Sequence, residues 1–248
     1  MPKLKAKTAQ GKEIPFGDSF TRLSTGVKGF DELVEGGVLQ NSLVLVSGPA
    51  GTGKSTFCMH FLVEGAKKGE NGLYVSLENP PAQIQREAAY FGWPVQELLE
   101  TKKLSIVKPE LYDFDKLVGF IEDEVIKNKA QRVVIDSSTL IGLYFKDEFK
   151  VRKAMVELEG ALKRLNVTVM AVNETPEGSD ALSTYGVEEF VADGVIMFYM
   201  QKKENVFARG VAVRKMRSTK HSLKIHPMQI ARPGGIIVYP SEEVFTEF

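Results

Sequence analysis

Residues Ser47 to Thr56 read SGPAGTGKST, and this decapeptide restricts the fold more than any other stretch of the chain. It follows the apolar run SLVLVSG from Ser42 and leads into a stretch of helical character. Gly48, Gly53, Lys54 and Ser55 satisfy the spacing G-x-x-x-x-G-K-[ST], in the strand-before, helix-after context that the pattern requires. Glycines at this spacing let backbone N–H groups turn inward around a phosphate, and the helix that follows adds its positive dipole end. Gly48, Pro49, Ala50, Gly51, Thr52 and Gly53 would wrap the phosphates of ATP, with Thr56 in the first helical turn. Lys54 would reach the β- and γ-phosphates, and the Ser55 hydroxyl would ligate Mg²⁺. A glycine-rich turn that binds nothing is the alternative.

The rest of the chain repeats this strand–helix order. Strand candidates are SLVLVSG from Ser42, GLYVSLE from Gly72, LSIVKP from Leu104, RVVIDSS from Arg132 and VTVMAVNE from Val167. All but the third are continuous apolar runs closing on small or polar residues, as strands buried on both faces should be. Before the last of them, Val151, Met155, Leu158, Leu162 and Leu165 recur every three or four residues and predict a one-sided amphipathic helix. The expected fold is α/β, a mostly parallel sheet flanked by helices with ligands at the carboxyl ends of its strands. After about residue 190 the runs DGVIMFYM, ARGVAVRKMR and QIARPGGIIVYP have turns but no helices between them, which predicts an antiparallel C-terminal extension. One domain over residues 20–248 is expected, preceded by an N-terminal arm over residues 1–19.

Composition excludes other classes. Lys plus Arg equals Asp plus Glu at 32 each, so no global basic field attracts nucleic acid or anionic lipid. The single cysteine, Cys58, cannot form an internal disulfide and suits a reducing compartment as a small core residue. No apolar run approaches the roughly 20 residues needed to span a bilayer, and the start MPKLKAKTAQGK lacks a signal-peptide core. A cytoplasmic protein without membrane contact is expected.

Two acids stand at strand ends. Asp136 closes RVVID, where a P-loop enzyme holds its magnesium shell; a turn-forming aspartate is the other reading. Glu78 ends YVSLE, and Asn79 with two prolines prevents the strand from continuing. The decapeptide alone leaves open whether Glu78 is a general base or a solvated acid. Asn173, ending VTVMAVN, would share that sheet edge and could sense a γ-phosphate or cap a loop.

STGVKGFDELVEGGVLQNSLVLVSGPAGTGKST resembles the opening of a KaiC-type ATPase domain, a branch of the RecA superfamily of P-loop NTPases. YFGW, RVVIDSST, STYGVEEFVADGVIMF and VRKMRSTKH resemble later blocks of that family in order, over roughly residues 20 to 240. The resemblance is to the single-domain KaiC-like proteins of archaea. It implies a RecA-like fold, ATP and Mg²⁺ as ligands, and ATP hydrolysis. Where KaiC domains place two adjacent glutamates that orient and deprotonate the attacking water, this chain has Glu78-Asn79. Glu78 then matches the base, while Asn79 can position water but cannot accept its proton. Tyr90, within AAYFGW, is a candidate to pack on the adenosine or a core residue.

VRKMRSTKH raises the question of assembly. On a strand Lys215 and Arg217 share a face, with no acid between them in sequence, and they repel unless an anion is present. Charges alone suggest a solvated face. The resemblance implies instead that the pair is presented to the γ-phosphate held by the next subunit of a ring, most simply a homohexamer. It places Thr219 and His221 near the sugar and base, although Arg232 stands where the family has an acid. The family's autophosphorylation positions are Glu189 and Phe190 here, which carry no hydroxyl, so no autokinase is expected there. Two further readings stay open: a DNA-associated recombinase-like ATPase of the RadA or RadB kind, using KAKTAQGK or RGVAVRKMR, and an archaellum-type ATP-binding component with little turnover. Protein partners are not legible from fold and motif.

Overall fold

Each predicted apolar run forms a strand. In chain order the elements are β1 (Leu43–Gly48), α1 (Lys54–Lys67), β2 (Gly72–Ser76), α2 (Pro81–Tyr90), α3 (Val95–Glu100), β3 (Leu104–Val107), α4 (Phe114–Asn128), β4 (Arg132–Asp136), α5 (Glu148–Arg164) and β5 (Thr168–Glu174). A short α6 (Glu188–Val191) leads into β6 (Gly194–Lys203), β7 (Val206–Met216), β8 (His226–Ala231) and β9 (Gly235–Val238). This computed structural model describes residues 20–110, 113–145, 147–203 and 205–242, plus two backbone segments, Ala6–Lys7 and Glu13–Ile14, paired antiparallel. The rest of the expected arm over residues 1–19, and with it most of KAKTAQGK, lies outside the described residues.

The strands form one nine-stranded sheet in the order β9-β8-β7-β6-β1-β5-β4-β2-β3. From β6 to β3 every neighbouring pair is parallel. β7, β8 and β9 continue it antiparallel. The antiparallel extension therefore begins one strand later than expected. DGVIMFYM pairs parallel with β1, Gly194 opposite Val44, because residues 175–193 and α6 carry the chain back across the sheet before β6 starts.

Side-chain alternation splits the core into two layers. Val44, Val46, Tyr74, Val134, Met170 and Val172 face α1 and α2. Leu43, Leu45, Leu73, Val75, Val133 and Ile135 face α4 and α5. Val151, Met155, Leu158 and Leu162 of the predicted amphipathic helix are buried there, and Leu165 is its C-cap. The third run, β3, is the edge strand and only half-buried, which is why its sequence is less apolar. Asp113 and Asp147 cap α4 and α5 by accepting the N–H groups of Lys116 and Lys150, and Pro81 at the first turn opens α2. Cys58 is buried in the layer under α1.

Candidate functional site

The turn from β1 to α1 is built as its sequence predicts. Gly48 has φ 149°, and a Cβ there would lie 2.5 Å from the Phe198 carbonyl oxygen; Gly53, at φ 102°, would clash with Ile230. Thr52 Oγ1 and Lys54 Nζ both donate to the Pro49 carbonyl, each at 2.8 Å. Lys54 is buried, and burial pulls it below the usual lysine range, opposed by the nearby carboxylates of Glu174, Asp136 and Glu78. A second cation meets the loop from outside, since Arg209 Nε donates to the Gly51 carbonyl at 3.2 Å. β7 runs antiparallel to β6, so its first residues lie at the P-loop end, with Arg209 opposite Met200.

Under the start of α1, Asp136 leaves the end of β4 and its Oδ2 accepts the Tyr74 phenol. Ser55 lines the same cavity as Tyr74. Tyr74 is 1% exposed, and burial followed by the Asp136 charge pushes it well above the usual phenol range. Burial likewise raises the Cys58 thiol. The structure thus brings the Ser55 hydroxyl, in the first turn of α1, and the Asp136 carboxylate, at the end of β4, two hard oxygen donors, to the same end of the sheet as Lys54. Among the described residues no three His, Cys, Asp or Glu side chains cluster as a metal cage. A donor set of one hydroxyl and one carboxylate fits Mg²⁺, which keeps water and takes its remaining ligands from phosphate oxygens.

Glu78 is exposed just past β2, in a turn fixed by Ser76: its Oγ donates to the Asn79 carbonyl at 2.7 Å and accepts the Asn79 N–H at 3.1 Å. Lys108 Nζ donates to the Glu78 carbonyl at 2.5 Å. Asn173 is fully buried and already engaged: Nδ2 donates to Glu188 at 3.2 Å and Oδ1 accepts the Thr184 N–H at 2.9 Å. It anchors the 183–188 loop, which is the capping alternative and not the phosphate-sensing one. The residue beside it, Glu174, pairs in register with Gly48 and is exposed at the P-loop edge.

A cavity of about 460 Å³ opens from Ser55 and Thr56 of α1 over Tyr74 to Ile84 and Tyr90 of α2. Tyr90 is 55% exposed on its rim, so it is not a core residue. The Arg232 guanidinium lies 4.0 Å over one face of its ring, and Arg232 Nε donates to the Tyr90 carbonyl at 3.1 Å.

Lys215 and Arg217 lie at the other edge of the sheet. Met216 is opposite Gly194, itself opposite Val44, near the start of β1 and not its P-loop end. The spacing predicts no acid between the two cations, and in sequence there is none. In space Arg217 has an acid of its own: its NH1 donates to Asp193 Oδ1 at 2.8 Å, and Lys163 approaches the other oxygen at 3.4 Å. Lys215 Nζ donates to the Glu189 and Ala192 carbonyls at the end of α6, at 2.8 and 2.6 Å. Burial, then the Arg217 charge, holds Lys215 below the usual lysine range. Thr219 Oγ1 accepts from Arg22 at 3.0 Å and donates to the Arg217 carbonyl at 3.1 Å, while His221 Nδ1 bonds the Ser222 carbonyl at 2.9 Å.

The family described as "ATPase: KaiC" matches residues 23–243. The chain belongs to the KaiC ATPase family. It is 34% identical to the circadian clock protein KaiC3 of Synechocystis over 93% of its own length and 48% of that protein. It thus spans about half the length of the clock proteins it matches. It is also 34% identical to a UPF0273 protein of Thermotoga maritima, covering 89% of this chain and 97% of the relative. A solved KaiC-like protein, PH0186 of Pyrococcus horikoshii, superposes with a TM-score of 0.82 at 40% identity, over 90% of this chain and 100% of that one. The fold is the RecA-like ATPase fold that the resemblance implies, and no helix among the described residues is long and apolar enough to cross a membrane.

Within this KaiC-family chain, Gly48 to Thr56, Asp136 and Glu78 gather at one sheet edge, with Tyr90 bordering the same cavity. Lys215, Arg217, Thr219 and His221 gather at the other. Sequence reading missed Tyr74, Arg209, Glu174 and Asp193. Tyr74 had a signal: in YVSLE it alternates with Ser76 on the α1 face. Arg209 and Asp193 depend on how β6 and β7 cross the sheet, which the residues around them do not reveal.

Proposed function

We propose that the chain binds Mg·ATP at the β1–α1 turn and hydrolyses it in a ring of its own copies, with nucleotide state regulating protein partners. The observation that carries this reading is the division of the site residues between opposite sheet edges. One edge can hold a triphosphate, and its Lys215–Arg217 counterpart can only be supplied by another copy. A head-to-tail contact that repeats and closes gives a ring, most simply a hexamer.

In this reading the loop N–H groups and Lys54 hold the β- and γ-phosphates, with Ser55 and Asp136 holding the cation. Bound Mg²⁺ would neutralise charge developing on the phosphate oxygens. Glu78, projecting from the turn set by Ser76, takes the proton of the attacking water, and Asn79 orients that water without accepting its proton. Arg217 and Lys215 of the neighbouring copy stabilise the departing charge. Thr219 and His221 of that copy approach the sugar and base, and Tyr90 offers its open face. With Glu189 and Phe190 lacking hydroxyls, the phosphoryl group goes to water and not to the chain.

Asn79 supports a second reading, an ATP-binding component with little turnover. The recombinase-like reading loses one of its two candidate segments. In RGVAVRKMR, Arg209 bonds the P-loop and Arg214 bonds Tyr199, while Lys215 and Arg217 are assigned above to a neighbour's nucleotide, which leaves the segment no spare basic residue for DNA. Steady-state phosphate release with Mg·ATP, with and without single-stranded DNA, tests all three. Turnover indifferent to DNA supports the proposal, stimulation by DNA favours the recombinase reading, and binding without turnover favours the second.

A further inference from the structure

The ring of Tyr74 packs in the layer under α1 with Val134, Ile84 and Ala88, a place that a phenylalanine would fill as well. Its hydroxyl is therefore the feature that packing does not explain. That hydroxyl ends on Asp136, and the ring lines the cavity that Ser55 also lines. A phenol has one proton to give, and it goes to Asp136 Oδ2. With Oδ2 taken, Asp136 is left with Oδ1 to accept from a hydrated cation. One buried hydroxyl thus fixes the orientation of the carboxylate before any cation arrives.

We propose that Tyr74 is a positioning residue for Mg²⁺, setting the Asp136 carboxylate in its metal-binding orientation. The inference rests on reading this edge as a Mg·nucleotide site. Partners that orient metal-binding groups are typically worth 10- to 100-fold in metal affinity. Nucleotide held without the cation relies on the loop N–H groups and on Lys54, whose Nζ bonds the Pro49 carbonyl while the Tyr74 hydroxyl bonds Asp136.

The test is Tyr74→Phe, read by fluorescent-ADP titration over a series of Mg²⁺ concentrations and in EDTA. The expected result is that half-maximal enhancement of binding needs at least about 10-fold more Mg²⁺, while affinity in EDTA stays within about twofold of the parent. An unchanged Mg²⁺ dependence would overturn the proposal. So would an equal loss in both conditions, which marks a merely structural role. Combining Tyr74→Phe with Asp136→Asn gives a second reading. If the phenol acts through the carboxylate, its removal has little further effect once Asp136→Asn is in place, and a full additional loss in the double variant contradicts the proposal. A parent protein whose ADP affinity ignores Mg²⁺ would overturn the nucleotide-site reading itself, and is separable because it needs no variant.

Discussion

Arg217 is paired with Asp193 at 2.8 Å, and Asp193 is in turn bound to the first residue of the P-loop strand, accepting the Leu43 N–H at 3.1 Å. The Asp193 N–H donates to the Leu43 carbonyl at 2.8 Å, and the Arg217 N–H donates to the Asp193 carbonyl at 2.9 Å. The strand that ends in Gly48 therefore begins at the carboxylate that holds Arg217. At about 3.3 Å per residue the two ends lie roughly 16 Å apart, too far for Arg217 to serve its own P-loop.

Arg217→Ala should bind ATP within about twofold of the parent and lose a factor of about 10³ in turnover, because a transition-state cation is removed from the neighbouring site. Its side chain is 52% exposed, so loss of the Asp193 pair should cost well under about 1 kcal/mol of stability. Mixing this variant with Glu78→Gln protein should restore part of the activity wherever an intact Arg217 faces an intact Glu78. No recovery despite subunit exchange, or a monomer by light scattering with ATP present, would count against the shared site.

The fold was legible because its determinants are local. Apolar runs such as VVID and LVLVSG announce buried parallel strands, and SGPAGTGKST announces the turn between β1 and α1. Asp136 and Glu78 were readable for the same reason, since each ends a recognisable strand. What stayed hidden depends on which strands become neighbours. Asp193 lies 24 residues from Arg217 in sequence, and nothing around either residue announces the pair. Arg209 reaches Gly51 across 158 residues because β6 joins β1 parallel, the one strand whose direction differs from the expected one. Asn173 and Glu174 differ in role because β5 is buried on both faces up to Asn173 and emerges only at Glu174, a distinction that needs the loop packed on Asn173 to be visible.

Lys54→Ala should abolish detectable nucleotide binding in a fluorescence titration. Lys54 is not the only cation near the phosphates, however, since Arg209 bonds the Gly51 carbonyl. Arg209→Ala should weaken binding by a smaller factor than Lys54→Ala, because it acts on the loop from outside. An Arg209→Ala loss equal to that of Lys54→Ala would reverse their ranking.

Glu78→Gln should keep ATP affinity and lose most turnover, since the change removes the proton acceptor while preserving shape. The turn itself should survive, being fixed by Ser76 Oγ and not by the Glu78 carboxylate. Phosphate release equal to the parent's would reduce Glu78 to a solvated strand-end acid. In that event Glu174, the exposed carboxylate opposite Gly48, becomes the next candidate base.

His60 sets a pH limit on stability that is independent of nucleotide. Its Nε2 accepts the Ile236 N–H at 2.8 Å, with Trp93 edge-on at 4.7 Å. Burial, reinforced by the Lys67 charge and only partly opposed by Glu64, lowers it from 6.5 to about 4. The folded chain therefore binds fewer protons than the unfolded one between these values. The stabilisation is complete above pH 6.5 and declines as pH falls toward 4; the loss amounts to about 2 kcal/mol by pH 5 and about 3 kcal/mol in full. Protonation also turns the Nε2 acceptor into a donor facing the Ile236 N–H, so the hydrogen bond is lost with the charge change. His60→Gln, which offers an amide oxygen to Ile236 and does not titrate, should flatten the fall between pH 7.5 and 5 while lowering stability at pH 7.5. Urea unfolding of both proteins across that range measures the difference, and parallel curves would show that His60 is not the group responsible.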